Sequence, residues 1–295
     1  MAIQTRSEQR LAWAWMAPAV ALIGLGFGWP MLRALGRSFW HENLATGLQP
    51  EWAGLANYQQ LLSDSRFWQD LGITSRFTLV SVSLELVLGL AIALLLHQRF
   101  PGRGLVRTLS LLPWAMPTAV MAIAWTWLFN DQFGLVNDLL QRLGLIATPL
   151  AWLAEPTLAF WALVIADIWK TTPFAAILLL AGLQGIPQDL YDAHAVDGAS
   201  PWQSFRRITL PLLWPQILIL LLFRGAEAFG IFDLIKVMTG GGPGGSTETL
   251  SVYLYSTVMR YLDFGYGAAL VIVSFGVIAL AAALTALLLN RPGSR

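Results

Sequence analysis

Apolar residues fall along this chain in six long runs, at about 11–32, 71–96, 109–129, 157–181, 210–238 and 265–289, with polar stretches between them. Each run meets the roughly 20 residues that an α-helix needs to cross a bilayer core. Helices are the form that satisfies every backbone group inside lipid. The pattern therefore predicts an all-α integral membrane protein, one transmembrane domain over 1–295 with six spans and no internal repeat. The first run could be a signal peptide. Its length, its Trp13, Trp15 and Trp29, and the want of a small-residue cleavage site predict a retained span instead. Pro113 and Pro117 interrupt the third run and free backbone carbonyls, which reads either as a static kink or as a bend that serves a transport path. Residues 33–70 are mixed, with Trp40, Trp52, Phe67 and Trp68 as at a membrane interface. Residues 100–107 are short and basic, and 130–156 read as a polar loop.

Composition agrees with lipid as the main solvent. Charged residues make up 12% of the chain and hydrophobic ones 56%, against about 25% charged in soluble proteins, and the mean hydropathy is +0.61. A net charge of +1 gives no reason to expect a polyanionic partner. The absence of cysteine excludes disulfides, thiolate catalysis and thiolate-held metals. His41, His97 and His194 lie far apart, so no metal site is predicted. With no cysteine and no histidine inside a run, no catalytic nucleophile–base set is predicted either. Arginines cluster in 1–10, 97–107, 184–208 and 291–295, and thin out in the other loops. By the positive-inside bias those four segments, and both termini with them, are predicted to face the cytoplasm.

Charges inside the runs are expensive in lipid and face a protein interior or a watery cavity. Asp167 and Lys170, Arg224 and Glu227, and Asp233 and Lys236 are each spaced i, i+3 with opposite sign, so each pair can meet on one helix face. Glu85 has no such local partner. The pairs read either as structural glue between helices or as the lining of a path for a hydroxyl-rich solute; Trp169 and Phe174 beside the first pair favour a sugar. An ion-coupled carrier that uses Glu85, Asp167 or Asp233 is the alternative reading.

One polar stretch has no bilayer reason to exist: Leu190 to Pro211, LYDAHAVDGASPWQSFRRITLP. It predicts a short helix, a break at Asp197-Gly198-Ala199 and a second short helix from Pro201, whose missing N–H is harmless in a first turn. This stretch resembles the cytoplasmic coupling loop of the permeases of bacterial ABC importers, Glu-Ala-Ala, three residues, Gly, nine residues, Ile-x-Leu-Pro. Asp192, Ala193 and His194 stand for the first three, Gly198 for the glycine, and Ile208, Leu210 and Pro211 for the end; Asp192 replaces Glu and His194 replaces Ala. Three further segments resemble the same family: GLANY at 54–58, WKTTPF at 169–174 and the glycine-rich TGGGPGGST at 239–247. The last lacks the Gly-Lys-Ser/Thr ending of a nucleotide loop. ADIWKTTPF and LLFRGAEAFGIFDLI look most similar to maltose-transporter-type permeases for trehalose and related α-glucosides.

The resemblance implies the type I importer permease fold, with the coupling loop at 188–208. It implies a subunit that passes a trehalose-, sucrose-, glucosylglycerol- or maltose-class sugar and has no catalytic centre or cofactor of its own. ATP and Mg would be held by two copies of a separate cytoplasmic ATPase. The other implied partners are a second, related permease and an extracytoplasmic sugar-binding protein. Contact with the ATPase would fall to Asp192, Ala193, His194, Asp197, Gly198, Ala199 and Phe205. The sugar path would run by Lys170, Phe174, Arg224, Ala228 and Ile231, with Asp167, Trp169 and Glu227 beside them.

Overall fold

A computed structural model describes residues 6–289, with side chains from 13 to 287. Among the described residues the regular structure is helical apart from one two-residue ladder and an isolated bridge between Asn43 and Asp263, and the chain forms two compact units: the part up to Asp64 with Leu254–Gly276, and Ser65–Tyr253 with the part from Val277 onward.

In the first unit α1 (Arg6–Ile23) runs through a wide-turned stretch, Gly24–Gly28, into α2 (Trp29–Arg37). None of the span Trp13–Arg37 is buried. Trp13, Trp15 and Phe27 stand out from it, as suits a helix whose solvent is lipid. Strands β1 (Trp40–His41) and β2 (Glu51–Trp52) pair antiparallel, and α3 (Ala56–Ser63) follows. The GLANY segment holds this corner. Asn57 is buried and donates from Nδ2 to the Ser38 and Trp40 carbonyls, both at 2.9 Å.

The second unit is organised around α4 (Ser65–His97). Phe77, Ser81, Glu85, Gly89 and Ala93 are all buried, one every four residues, so they form a single stripe along one helix face. After it come α5 (Arg103–Ser110), α6 (Leu112–Ala115), α7 (Thr118–Leu128), α8 (Leu135–Arg142) and α9 (Pro156–Gln184). The stripe of α4 packs along α9. At Gly89 the two backbones come so close that an added Cβ would meet the Ala175 Cβ at 2.8 Å. Small residues at a crossing are how helices in lipid gain contact without a hydrophobic driving force. Next are α10 (Gln188–Val196), α11 (Pro201–Ser204), α12 (Leu210–Phe229) and α13 (Asp233–Met238), and then α14 (Leu250–Met259) and α15 (Phe264–Leu289), each of which begins in one unit and ends in the other.

The second unit has two apolar cores. One gathers Phe77, Met121, Phe129, Leu163, Leu234 and Ile235. The other gathers Ala93, Ala175, Leu179, Leu213, Ile217 and Leu220. On α4, Glu85 lies midway between them in sequence.

The helical boundaries differ from the sequence pattern in five places. The third run is two arms bent by 90° at Met116-Pro117, and its first arm begins at Arg103, inside the stretch predicted as a basic loop. Pro117 has no N–H for an α-helical bond, so the ladder stops there. Helix α8 lies in the predicted loop 130–156, and α14 in the polar stretch before the last run. The fifth run is not continuous: α12 ends at Phe229, the chain breaks at Gly230–Phe232, and Asp233 with Lys236 sits on α13. Among the described residues, four helices are long and apolar enough to cross a membrane, and five if the bent pair is one span. Helix α12, which carries Arg224 and Glu227 in its last turns, is not among them. The terminal arginines Arg6, Arg10, Arg291 and Arg295 lie outside the residues with described side chains.

Candidate functional site: a buried arginine and a helical elbow

Arg224 of α12 is the centre of a charge cluster built from three helices. Its guanidinium meets Glu85 of α4 as a two-pronged pair, Nε to Oε2 at 2.7 Å and Nη2 to Oε1 at 2.9 Å. Nη2 also reaches Asp167 of α9 at 3.4 Å, and Nη1 donates to Glu227, one turn on, at 2.6 Å. The Glu85, Asp167 and Arg224 side chains are 1%, 6% and 5% exposed, while Glu227 is 61% exposed. A planar fork facing a carboxylate fixes direction as well as charge. Ser81, one turn before Glu85, lies within hydrogen-bond reach of both Glu85 Oε1 and Asp167 Oδ2. Its single proton serves one of them at a time.

The cluster forms one wall of a half-open cavity of about 330 Å³, and six predicted residues line it: Asp167, Lys170, Arg224, Glu227, Ala228 and Ile231. Thr118, Thr171 and Asp233 complete its polar side. Lys170 does not pair with Asp167 as its spacing predicted. Its Nζ donates to the Trp114 carbonyl at 3.2 Å, in the last turn before the Pro117 break, where a carbonyl has no helical partner to accept from. Asp167 has turned the other way, to Ser81 and Arg224. Phe174 stacks on Trp114 (5.6 Å, 20°) and Trp169 meets Trp125 edge-on (5.8 Å, 71°), so both aromatics act on the bent third run, with Trp114 itself on the cavity wall. Ala228 is buried, and with Ile231 it supplies an apolar side.

Glu85 and Ser81 are the site residues that local spacing missed. Glu85 looked solitary because its partner is 139 residues away. The four-residue repeat of Phe77, Ser81, Glu85, Gly89 and Ala93 was the available signal that it faces inward. As half of a two-pronged pair, Glu85 is not an open ion ligand.

The second feature is the elbow between α9 and α12. Helix α10 ends at Val196 with Asp197 as its cap, and Gly198 takes φ +77°, a left-handed turn that a Cβ disfavours. Ser200 and Gln203 form a reciprocal capping box, with Pro201 in the first turn of α11. Two bonds close the elbow: Tyr191 Oη with Thr209 Oγ1 at 2.9 Å, and His194 Nδ1 with Ser204 Oγ at 3.0 Å. The histidine that replaces the family alanine is thus a brace. Asp192, Ala193, Asp197 and Gly198 are exposed, while His194, Ala199 and Phe205 are half-buried. Asp192 accepts from Gln188 Nε2 at 3.2 Å. Val196 (88% exposed) and Trp202 (68%), the latter stacked on Phe205, make an apolar tip that the motif did not single out.

The glycine-rich stretch 239–247 turns through Gly240, Gly241, Gly244 and Gly245, all with positive φ. It is clamped by Thr247 Oγ1, which donates to the Gly242 carbonyl at 2.6 Å and meets Thr239 Oγ1 at 2.8 Å. Just after it, Glu248 takes both prongs of Arg66, at 2.8 and 3.0 Å.

Long apolar helices folded around a polar cavity, with an exposed elbow between two of them, are the features of a membrane transport component. The chain belongs to the family described as binding-protein-dependent transport system inner membrane component, whose sequence model matches residues 85–292. It is 46% identical over 241 residues to the trehalose/maltose transport system permease protein MalF of Thermococcus litoralis, covering 81% of each chain. It is 40% identical to the sulfoquinovosyl glycerol transport system permease protein SmoG of Agrobacterium fabrum, over 92% of this chain and 87% of that one. Among solved structures, the bacterial alginate ABC transporter in complex with its pentasaccharide-bound periplasmic protein contains a chain of the same fold, with a TM-score of 0.80 at 22% identity, covering 97% of this chain and 96% of that one.

Proposed function

We propose that this chain is one of two permeases of an ATP-driven sugar importer, and that the cavity beside Arg224 is part of the sugar path. A cytoplasmic ATPase pair closes on ATP and pushes the elbow. The push travels through α9 and α12, which flank the elbow and carry Asp167 and Arg224. A binding protein delivers the sugar from the other side of the membrane. With the elbow in the cytoplasm, the six-span topology with both termini inside follows the arginine bias. The substrate class is a disaccharide or glycoside of the kind named for the relatives, with trehalose and maltose first.

The observation that carries the path is the mixed wall of the cavity. Glu227 and Lys170 offer charged hydrogen-bond groups to hydroxyls, and Ala228, Ile231 and Trp114 offer apolar surface to C–H faces. Arg224 is committed to Glu85, so it orients Glu227 rather than being free itself.

The test is ATPase activity of the reconstituted assembly with binding protein across a panel of disaccharides and glycosides. Stimulation by α-glucosides that Glu227→Ala and Lys170→Ala weaken supports the path. Sugar uptake that survives loss of the ATPase and follows a proton gradient overturns the reading.

A further inference from the structure

A second cavity, of about 630 Å³, opens where α4 ends, α5 begins and α9 passes into α10. It is lined by His97, Arg99, Arg103, Arg107, Gln184 and Gln188, with no acidic residue among its lining. Arg107 Nη2 donates to the Leu96 carbonyl at 2.7 Å. The Gln184 amide, oriented with its oxygen inward, accepts from both terminal nitrogens at 3.2 and 3.3 Å. These bonds fix one guanidinium, and its buried Nε has no partner. Arg99 and Arg103 are exposed and make no ion pair among the described residues. Gln188, one of the lining residues, donates from Nε2 to Asp192 Oδ1 at 3.2 Å.

Three guanidiniums around one open space repel one another unless an anion lies between them, and their fork geometry suits phosphate oxygens. The location selects the source of the phosphate. The cavity begins where the apolar stripe of α4 stops, at headgroup depth for a helix that crosses lipid. Leu95, Leu105 and Leu109, exposed by 62%, 65% and 52%, leave apolar surface beside the arginines. Helix α5 is therefore amphipathic, with Arg103 and Arg107 four residues apart on one face, the arrangement of a helix lying in the interface. The geometry points to a binding site for the phosphate headgroup of an anionic lipid, with the acyl chains against Leu95, Leu105 and Leu109. A lipid there would wedge the start of α10, and so would set the resistance of the elbow to being moved. The binding itself stands apart from the sugar path, so it survives if that path is wrong.

The experiment measures phosphatidylglycerol retention by the full-length chain, purified in neutral detergent, by native mass spectrometry and by lipid titration, with phosphatidylcholine as reference. Arg99→Gln/Arg103→Gln is expected to lower apparent phosphatidylglycerol affinity by roughly twenty-five-fold, at about fivefold per arginine. Arg206→Gln/Arg207→Gln removes the same charge from the elbow, just before α12 and outside this cavity's lining, and is expected to leave affinity unchanged. Arg99→Lys/Arg103→Lys, which keeps the charge, is expected to recover most of it. Equal losses in both Gln pairs would mean diffuse attraction and overturn the site, as would no loss in either. Full displacement of the lipid by millimolar inorganic phosphate would show a free-anion pocket and overturn the lipid assignment.

Discussion

Arg224 and Glu85 share two hydrogen bonds, at 2.7 and 2.9 Å, across 139 residues of chain and between two different helices. Both side chains are almost fully enclosed, while Glu227, another of the carboxylates on the same guanidinium, is mostly exposed. The two contacts therefore differ in what their loss does.

Removing the two-pronged partner of an enclosed charge destabilises by up to about 3–5 kcal/mol, a loss that Asp167 and Glu227 offset in part, whereas an exposed contact contributes about 0–1 kcal/mol. Glu85→Ala should thus lower the melting temperature of the purified chain sharply and Glu227→Ala hardly at all, as followed by intrinsic tryptophan fluorescence in detergent. Equal melting of the two variants would contradict the burial difference.

Gly198 tests the elbow. No atom lies within 4 Å of a Cβ placed there, so a side chain meets only the backbone penalty of φ +77°, about 1–2 kcal/mol. Asparagine tolerates this region far better than valine does. Gly198→Asn is expected to keep most sugar-stimulated ATPase activity, and Gly198→Val to lose it while still inserting into the membrane. Full activity in Gly198→Val would show that the turn is not needed.

The chain has no cysteine, so single introduced cysteines report topology without background. Val196→Cys, at the exposed tip of the elbow, should react with a membrane-impermeant maleimide only in inverted vesicles. Gly244→Cys, in the clamped glycine stretch, should react only from outside intact cells. The reverse pattern inverts the proposed orientation.

Gly89 tests the crossing of α4 and α9. Its missing Cβ is replaced by the Ala175 methyl, so Gly89→Leu overpacks the contact and should destabilise by about 1–3 kcal/mol, read as a lower melting temperature. At Gly72 on the same helix, an exposed position, an added Cβ meets nothing within 4 Å, so Gly72→Leu should leave the melting temperature unchanged.

Glu155 gives a pH signature outside the spans. Its carboxylate accepts from the Leu158 and Thr157 N–H groups at the start of α9, at 2.8 and 3.1 Å. Those bonds, that of Leu158 first, hold its pKa below the ordinary 4.5. A lowered carboxylate stabilises fully above its ordinary value and loses that contribution as pH falls through the lowered one. Wild type should therefore lose its stability margin over Glu155→Gln on acidification below about pH 4.5, the ordinary value. A margin that stays constant with pH would rule out the cap.

What the sequence determined by itself is whatever depends on near neighbours. Run length set the helical class, because lipid leaves backbone groups no partner outside their own segment. Gly198 and Pro201 set the elbow, because a chain break at glycine and a first-turn proline are read from adjacent residues. Arg224 with Glu227 was legible because i, i+3 neighbours share a helix face. Only the tertiary structure decided the rest. Asp167 and Lys170 had equally good spacing and parted, because Ser81, Arg224 and the Trp114 carbonyl, all distant in the chain, offered each a better partner. Glu85 found its counterion only when α4 and α12 came together. A buried charge takes whichever opposite charge the packing brings to it, and packing depends on every helix at once.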